Sequence, residues 1–191
     1  MRITLSVLAL VLCCSTARAQ DYVWWEGENP VETNFPKNSW FAAGTFADRR
    51  DLLSGGDWLS NSGKRGRDEA FARYLVDVPA DGKYQLWTRK FYKHGPFRWR
   101  FGDAPWQICG KNIALADNTE LRTHVCANWV FLGEVSLKKG QVPFEIRLAA
   151  AEGEELTSAF DCFVLSRGPF VPNGKVKPGQ RTGLADEGFF A

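Results

Sequence analysis

Ala70-Phe71-Ala72-Arg73-Tyr74-Leu75-Val76-Asp77-Val78-Pro79-Ala80-Asp81-Gly82-Lys83-Tyr84-Gln85-Leu86-Trp87-Thr88-Arg89-Lys90-Phe91 is the stretch from which the fold can be read. Ala70 to Val78 alternates, with Tyr74, Val76 and Val78 on one face and Arg73 and Asp77 on the other, the period of a half-buried strand. Pro79-Ala80-Asp81-Gly82 is a turn, because Gly supplies the backbone angles a tight reversal needs. Lys83 to Phe91 returns as the partner strand and puts Tyr84, Leu86 and Thr88 on one side. The stretch predicts an antiparallel hairpin.

The same signals recur outward from it. Asp21 to Glu28 reads as a short aromatic-rich strand closed by Asn29-Pro30. Further strands are predicted at Phe97 to Phe101, Trp129 to Leu137 and Val142 to Ala149, with Lys138-Lys139-Gly140-Gln141 turning between the last two. Phe160 to Ser166 is apolar on both faces, as a strand covered from both sides is. Many short strands parted by Gly, Pro and Asp turns, with hardly a helix signal, predict an all-β fold, a jelly-roll sandwich of antiparallel strands. No repeat of propeller or solenoid period appears.

The two ends read differently. Arg2 followed by the apolar run Ile3 to Cys14 and by Ala17-Arg18-Ala19 has the form of a signal peptide cleaved after Ala19. The run is shorter than the roughly 20 apolar residues of a membrane span. A secreted or periplasmic protein with no membrane association is expected. Beyond Ser166, Pro169, Pro172 and Pro178 with several Gly and Lys read as an extended tail. Either the tail packs back on the sandwich or a further domain follows. The expected division is 1–19 signal peptide, 20–168 sandwich and 169–191 Pro/Gly/Lys-rich tail.

Charge excludes one class of partner. Arg2 and Arg18 leave with the signal peptide, which takes the 24 Lys and Arg to 22, against 22 Asp and Glu. A phosphate-backbone binder shows a basic excess; here there is none, and nucleic acid is not expected as a partner. Of five cysteines, Cys109, Cys126 and Cys162 remain in the mature chain. Cys109 and Cys126 flank a polar loop and could pair, closing a loop worth about 3 kcal/mol; Cys162 reads as a buried thiol.

Glu26-Gly27-Glu28 ends the first strand, and spacing of two puts both carboxylates on one face. They are either solvated or share a cation, and calcium accepts irregular cages of carboxylate and carbonyl oxygens. Asp161, between Phe160 and Cys162, is costly to bury unpaired. Its partner is either that cation, with the first and last strands adjacent, or an N–H or arginine.

Eight tryptophans are many for this length. Trp24, Trp25, Trp58 and Trp87 sit in or beside strands and read as core or near-core, whereas Trp40, Trp99, Trp106 and Trp129 flank Gly, Pro or Asn and are the better candidates for exposure, although any single Trp is more often core than ligand platform. A flat indole stacks on the C–H face of a sugar ring while Asn, Asp and Arg bond its hydroxyls. Trp106, Asp117, Asn118, Arg122, Asn128 and Trp129 form such a mixture in one polar stretch. Catalysis has little behind it: His94 and His124 belong to no nucleophile motif, and no phosphate loop or zinc-binding spacing is present. Distant carboxylate pairs keep a glycan-active enzyme open as an alternative, beside a protein-interaction or structural sandwich.

The order of these motifs resembles the family 6 and family 35 carbohydrate-binding modules. Trp25-Glu26-Gly27-Glu28 is similar to their Glu-x-Glu opening, Tyr74 to Arg89 to their central hairpin, Trp129 to Leu137 with Gly140 to their strand and Leu-x-x-Gly turn, and Phe160 to Leu165 to their last strand with its embedded Asp. The resemblance spans Asp21 to Ser166. It implies a galactose-binding-like sandwich with a structural calcium at positions matching Glu26, Glu28 and Asp161. It also implies a non-catalytic module binding a poly- or oligosaccharide, often beside a catalytic domain, with Trp129 at a stacking position. The family often has an Asn before the last-strand Asp; Leu156 to Phe160 has none, leaving Thr157 or Ser158 in that place.

Overall fold

A computed structural model describes residues 22–36, 51–61, 69–91, 96–110, 112–148 and 158–180. The signal-peptide reading, Trp40, His94 and Thr157 fall outside them. The described chain folds as β1 (Tyr22–Glu26), β2 (Glu32–Thr33), β3 (Leu59–Asn61), β4 (Ala70–Val78), β5 (Gly82–Phe91), β6 (Phe97–Phe101), β7 (Gln107–Cys109), β8 (Ala116–Arg122), β9 (Val125–Leu137), β10 (Gly140–Leu148) and β11 (Ser158–Ser166). One sheet runs β1-β11-β5-β9-β8, with β3 also on β11; the other runs β2-β4-β10-β6-β7. Every pairing is antiparallel. The chain is an all-β sandwich.

The alternation in β4 does what it predicts. Ala70, Ala72, Tyr74, Val76 and Val78 are buried, and they meet Phe144, Ile146 and Leu148 of β10 and Leu86 and Phe163 of the facing sheet in one core. β4 and β5 are joined by the expected turn but lie in opposite sheets, so they are not the hairpin the sequence suggests. Each strand instead pairs with a distant one: β4 with β10, and β5 with β9 and β11. Tyr74 and Tyr84 thereby face each other's sheet across the core rather than across a ladder.

All nine residues of β11 are buried. Its inner face joins the main core, and its outer face, Cys162 and Val164, joins a second cluster with Trp129 and Phe170. That second cluster exists because residues 168–180 return over the sheet. Phe170 stands edge-on to Trp129 and Trp87, with ring centroids 4.8 and 5.7 Å apart. Trp129 Nε1 donates to the Gly174 carbonyl at 2.8 Å, and the Gly174 amide donates to Asp117 Oδ2. The expected extended tail is, as far as Gln180, a strap across the sandwich.

Two tryptophans sit where their neighbours do not suggest: Trp99 and Trp129, the candidates for exposure, are 4% and 0% exposed. Trp87 is half-buried against the outer cluster, near the core as expected. Cys109 and Cys126 are both free thiols and lie in opposite sheets, on β7 and β9.

Candidate functional site

Three places gather the polar and aromatic residues that could carry function. The first is where β1 leans over β11. Gly27 N donates to the Asp161 carbonyl at 2.7 Å, and a Cβ on Gly27 would lie 2.1 Å from the Phe160 oxygen, so only glycine fits between the two glutamates. Tyr74 hydroxyl donates to the Gly27 carbonyl at 2.7 Å and fixes the bend from the core side. A 3-10 turn, Ser54–Gly56, closes over the glutamates; Gly55 has φ 64°, and a Cβ there would come 2.3 Å from Glu28 Oε1.

Asp161 is the extra residue at the register shift between β11 and β5. A bulge re-aims a side chain, and here it turns Asp161 onto Arg89. Arg89 Nη1 donates to Asp161 Oδ2 at 2.7 Å and to the Leu52 carbonyl at 3.0 Å, and Ser54 N donates to Asp161 Oδ1 at 2.8 Å. Both side chains are 0% exposed. Burial lifts the Asp161 carboxyl to about 6 in spite of the guanidinium beside it. Of the two partners the sequence left open, the arginine and the N–H are the ones that engage Asp161.

Glu26 and Glu28 keep unused oxygens. Glu26 Oε1 accepts from Trp24 Nε1 at 3.2 Å and lies 3.4 Å from Lys177 Nζ of the strap. Glu26 Oε2 and Glu28 Oε2 are buried and accept no hydrogen bond. Burial, joined by the charges of Glu26, Asp161 and Asp57, pushes the Glu28 carboxyl up to about 8. Among the described residues no three His, Cys, Asp or Glu side chains converge to hold a metal ion. Asp161, bound to Arg89, is thus not a free third ligand. What fits a hard cation is the pair of orphaned Glu26 and Glu28 oxygens.

The second place is the polar stretch from Trp106 to Trp129, and the structure takes it apart. Residues 116–122 form β8 and pair with the start of β9 instead of looping. Asn128 is buried, its Nδ2 donating to the Asp117 carbonyl at 2.7 Å and Asn118 Oδ1 at 3.2 Å, while Asp117 fastens the strap. Trp129 has no open face: Trp24 and Phe170 stand edge-on to it. It is not a stacking platform but the floor on which the strap rests. Arg122 is exposed at the end of β8. Trp106 is on the other sheet, lying over Arg100 and Arg147 at 4.3 and 5.1 Å. Those two arginines and Arg73 converge on the nearly buried Glu145, which they hold below the usual carboxylate range although burial opposes them. Ser158, in the place of the family's Asn, is 1% exposed.

The third place carried no sequence signal. β8 pairs with β9 only up to Trp129, so the sandwich opens where the rest of β9 faces the β6–β7 corner. There a groove of about 620 Å³ has Trp99, Leu132, Val135 and Val142 along its floor and Arg100 and Gln107 on its rim. Glu134 is the one carboxylate on its lining. Arg89, Lys177 and the groove were all missed, since each depends on which strands become neighbours.

No protein-family model and no curated protein matches the sequence. Solved structures do. A Podospora anserina β-(1,4)-mannanase, described as GH26-CBM35, superposes with a TM-score of 0.50 at 13% identity over 80% of this chain and 29% of its own. The likeness is one of fold. An insecticidal crystal protein, Cry2Aa, gives 0.48 at 11% identity over 76% of this chain and 21% of its own. A ruminal GH26 endo-β-1,4-mannanase gives 0.41 at 13% over 77% and 26%. The chain spans under a third of each.

Proposed function

We propose that this chain is a non-catalytic module that binds a poly- or oligosaccharide for an exported protein, with a catalytic domain as a possible companion in the same assembly. The groove carries the reading. An apolar floor edged by a few hydrogen-bonding groups is the make-up of a small-ligand site, and sugar rings present both C–H faces and hydroxyls. Its lining holds Glu134 alone, whereas glycoside hydrolysis uses two carboxylates across the bond. Glu26 and Glu28 lie elsewhere, under the Ser54–Gly56 turn. The shared fold with a chain whose description includes a family 35 carbohydrate-binding module supports the same reading.

A structural calcium belongs to the proposal. It would rest on the Glu26 and Glu28 carboxylates, where it would supply the charge that two like groups lack; Asp161 contributes field rather than a free ligand. The test of function is retention of the mature chain, residues 20–191, on mannan, xylan and cellulose. Retention that Leu132→Glu in the groove abolishes supports the proposal. No retention on any of the three, nor on a wider glycan array, sinks it.

A further inference from the structure

The outer face of the β1-β11-β5-β9 sheet meets the carboxylate centre at Trp24, which donates to Glu26, and the groove at Glu134; Trp87 and Phe131 between them belong to neither site. Register places the side chains of this face in rows across the strands. Trp24, Val164, Trp87 and Phe131 make one row, and Tyr22, Ser166, Gln85 and Glu134 make the next. The strap covers one end of the aromatic row, with Lys177 5.5 Å from the Trp24 ring and Phe170 against Trp87. It leaves the other end open. Phe131 is 46% exposed in the middle of a 13-residue strand, and its ring lies 4.9 Å from Trp87 at 45°. Trp87 Nε1 donates to Gln85 Oε1 at 3.4 Å, which turns the Gln85 amide beside the rings.

We propose that Trp87, Phe131, Gln85 and Glu134 form a second sugar-contact face, for a neutral glycan chain. The inference rests on the glycan-binding reading above. The two rings offer a twisted apolar surface for the C–H face of one pyranose. One row further along the strands, about 7 Å away, the Gln85 amide donates and the exposed Glu134 carboxylate accepts, as the hydroxyls of the next sugar require. An anionic glycan would meet the Glu134 charge, so the face favours a neutral one. Glu134 also lines the groove, so face and groove are continuous over the edge of β9, and one chain can follow both. A protein partner fits less well: the open apolar surface is that of two rings, against about 800 Å² per side in a stable protein contact. Nor does the core call for Phe131, which points away from it.

Calorimetric titration of the mature chain with mannohexaose, cellohexaose and xylohexaose tests this. The Phe131→Ser and Gln85→Ala variants are compared with the groove variant Leu132→Glu, with melting temperature measured on each. Phe131→Ser should weaken the hexaose that binds by tenfold or more, and Gln85→Ala by severalfold, with melting temperatures unchanged. If Phe131→Ser lowers the melting temperature, Gln85→Ala, which removes no core contact, decides. Binding lost in Leu132→Glu but within twofold of the parent in both face variants overturns the second face and leaves the groove standing. No binding of any hexaose overturns the glycan reading and this face with it.

Discussion

Arg89 and Asp161 meet at 2.7 Å, both fully buried, at the point where the register between β5 and β11 slips by one residue. The slip makes the pair. Phe160 faces the core and Cys162 the outer cluster; the extra residue between them lets Asp161 share the Cys162 side and reach the guanidinium.

Breaking this pair from one side leaves a buried charge alone. Asp161→Asn or Arg89→Met should each cost about 3–5 kcal/mol. The double variant should be less destabilised than the sum of the two, because it removes both charges. Urea unfolding of the three variants measures it. A double variant that loses the full sum would show that the two side chains act independently.

Burial raises Glu28 to about 8 and Asp161 to about 6. A carboxyl whose folded pKa lies above its unfolded value holds a proton in the native state that the unfolded chain has released. Stability therefore falls as pH rises, from about 4 to about 8, in the metal-free domain. Glu28→Gln should remove the upper part of that slope, between about pH 6 and 8. Melting temperatures in chelator across this range are the measurement, and a flat profile for the parent would contradict it.

Calcium should reverse the same slope, since it favours the charged Glu28. An ion bound to the native state alone stabilises by about 2.7 kcal/mol at a hundredfold excess over Kd. Melting at pH 8 should rise with calcium and fall with chelator, and Glu26→Gln with Glu28→Gln should abolish the response. A domain indifferent to both reagents has no such ion.

Trp129 and Phe170 should behave as core residues. Trp129→Ala and Phe170→Ala are each expected to cost about 3–5 kcal/mol, on the scale of large aromatic truncations. Trp129→Phe keeps the packing but leaves the Gly174 carbonyl without its donor, and should cost about 1 kcal/mol. Affinity for any retained glycan should be unchanged in Trp129→Phe. A loss of tenfold or more without loss of stability would return Trp129 to the binding surface.

How much of this was legible in the sequence follows from what each signal depends on. Alternation in Ala70 to Val78 and the doubly apolar run Phe160 to Ser166 are local, and both strands form with the expected faces. Pairing is not local. The Pro79–Gly82 turn reads as a hairpin, yet β4 and β5 part into different sheets, each pairing with a strand distant in sequence, β4 with β10 and β5 with β9. Glu26-Gly27-Glu28 shows its spacing, but not that Gly27 is squeezed against the Phe160 carbonyl. Asp161 announces a need for a partner without naming Arg89, 72 residues away. Trp129 beside Asn128 looks exposed only while the tail is read as leaving the domain.

β11 is at once the strand on which β1, β3 and β5 all lean and the last of the described strands to be made. Tyr22 finds its neighbour in Ser166, at the far end of the sandwich in sequence. Contacts this distant are slow to form, because the loop they close must be ordered first. A nascent chain therefore has no means of completing this sheet until Ser158–Ser166 have been synthesised. Up to that moment β1 lacks the one strand it pairs with among the described residues. Late assembly around β11 suits the exported module proposed above.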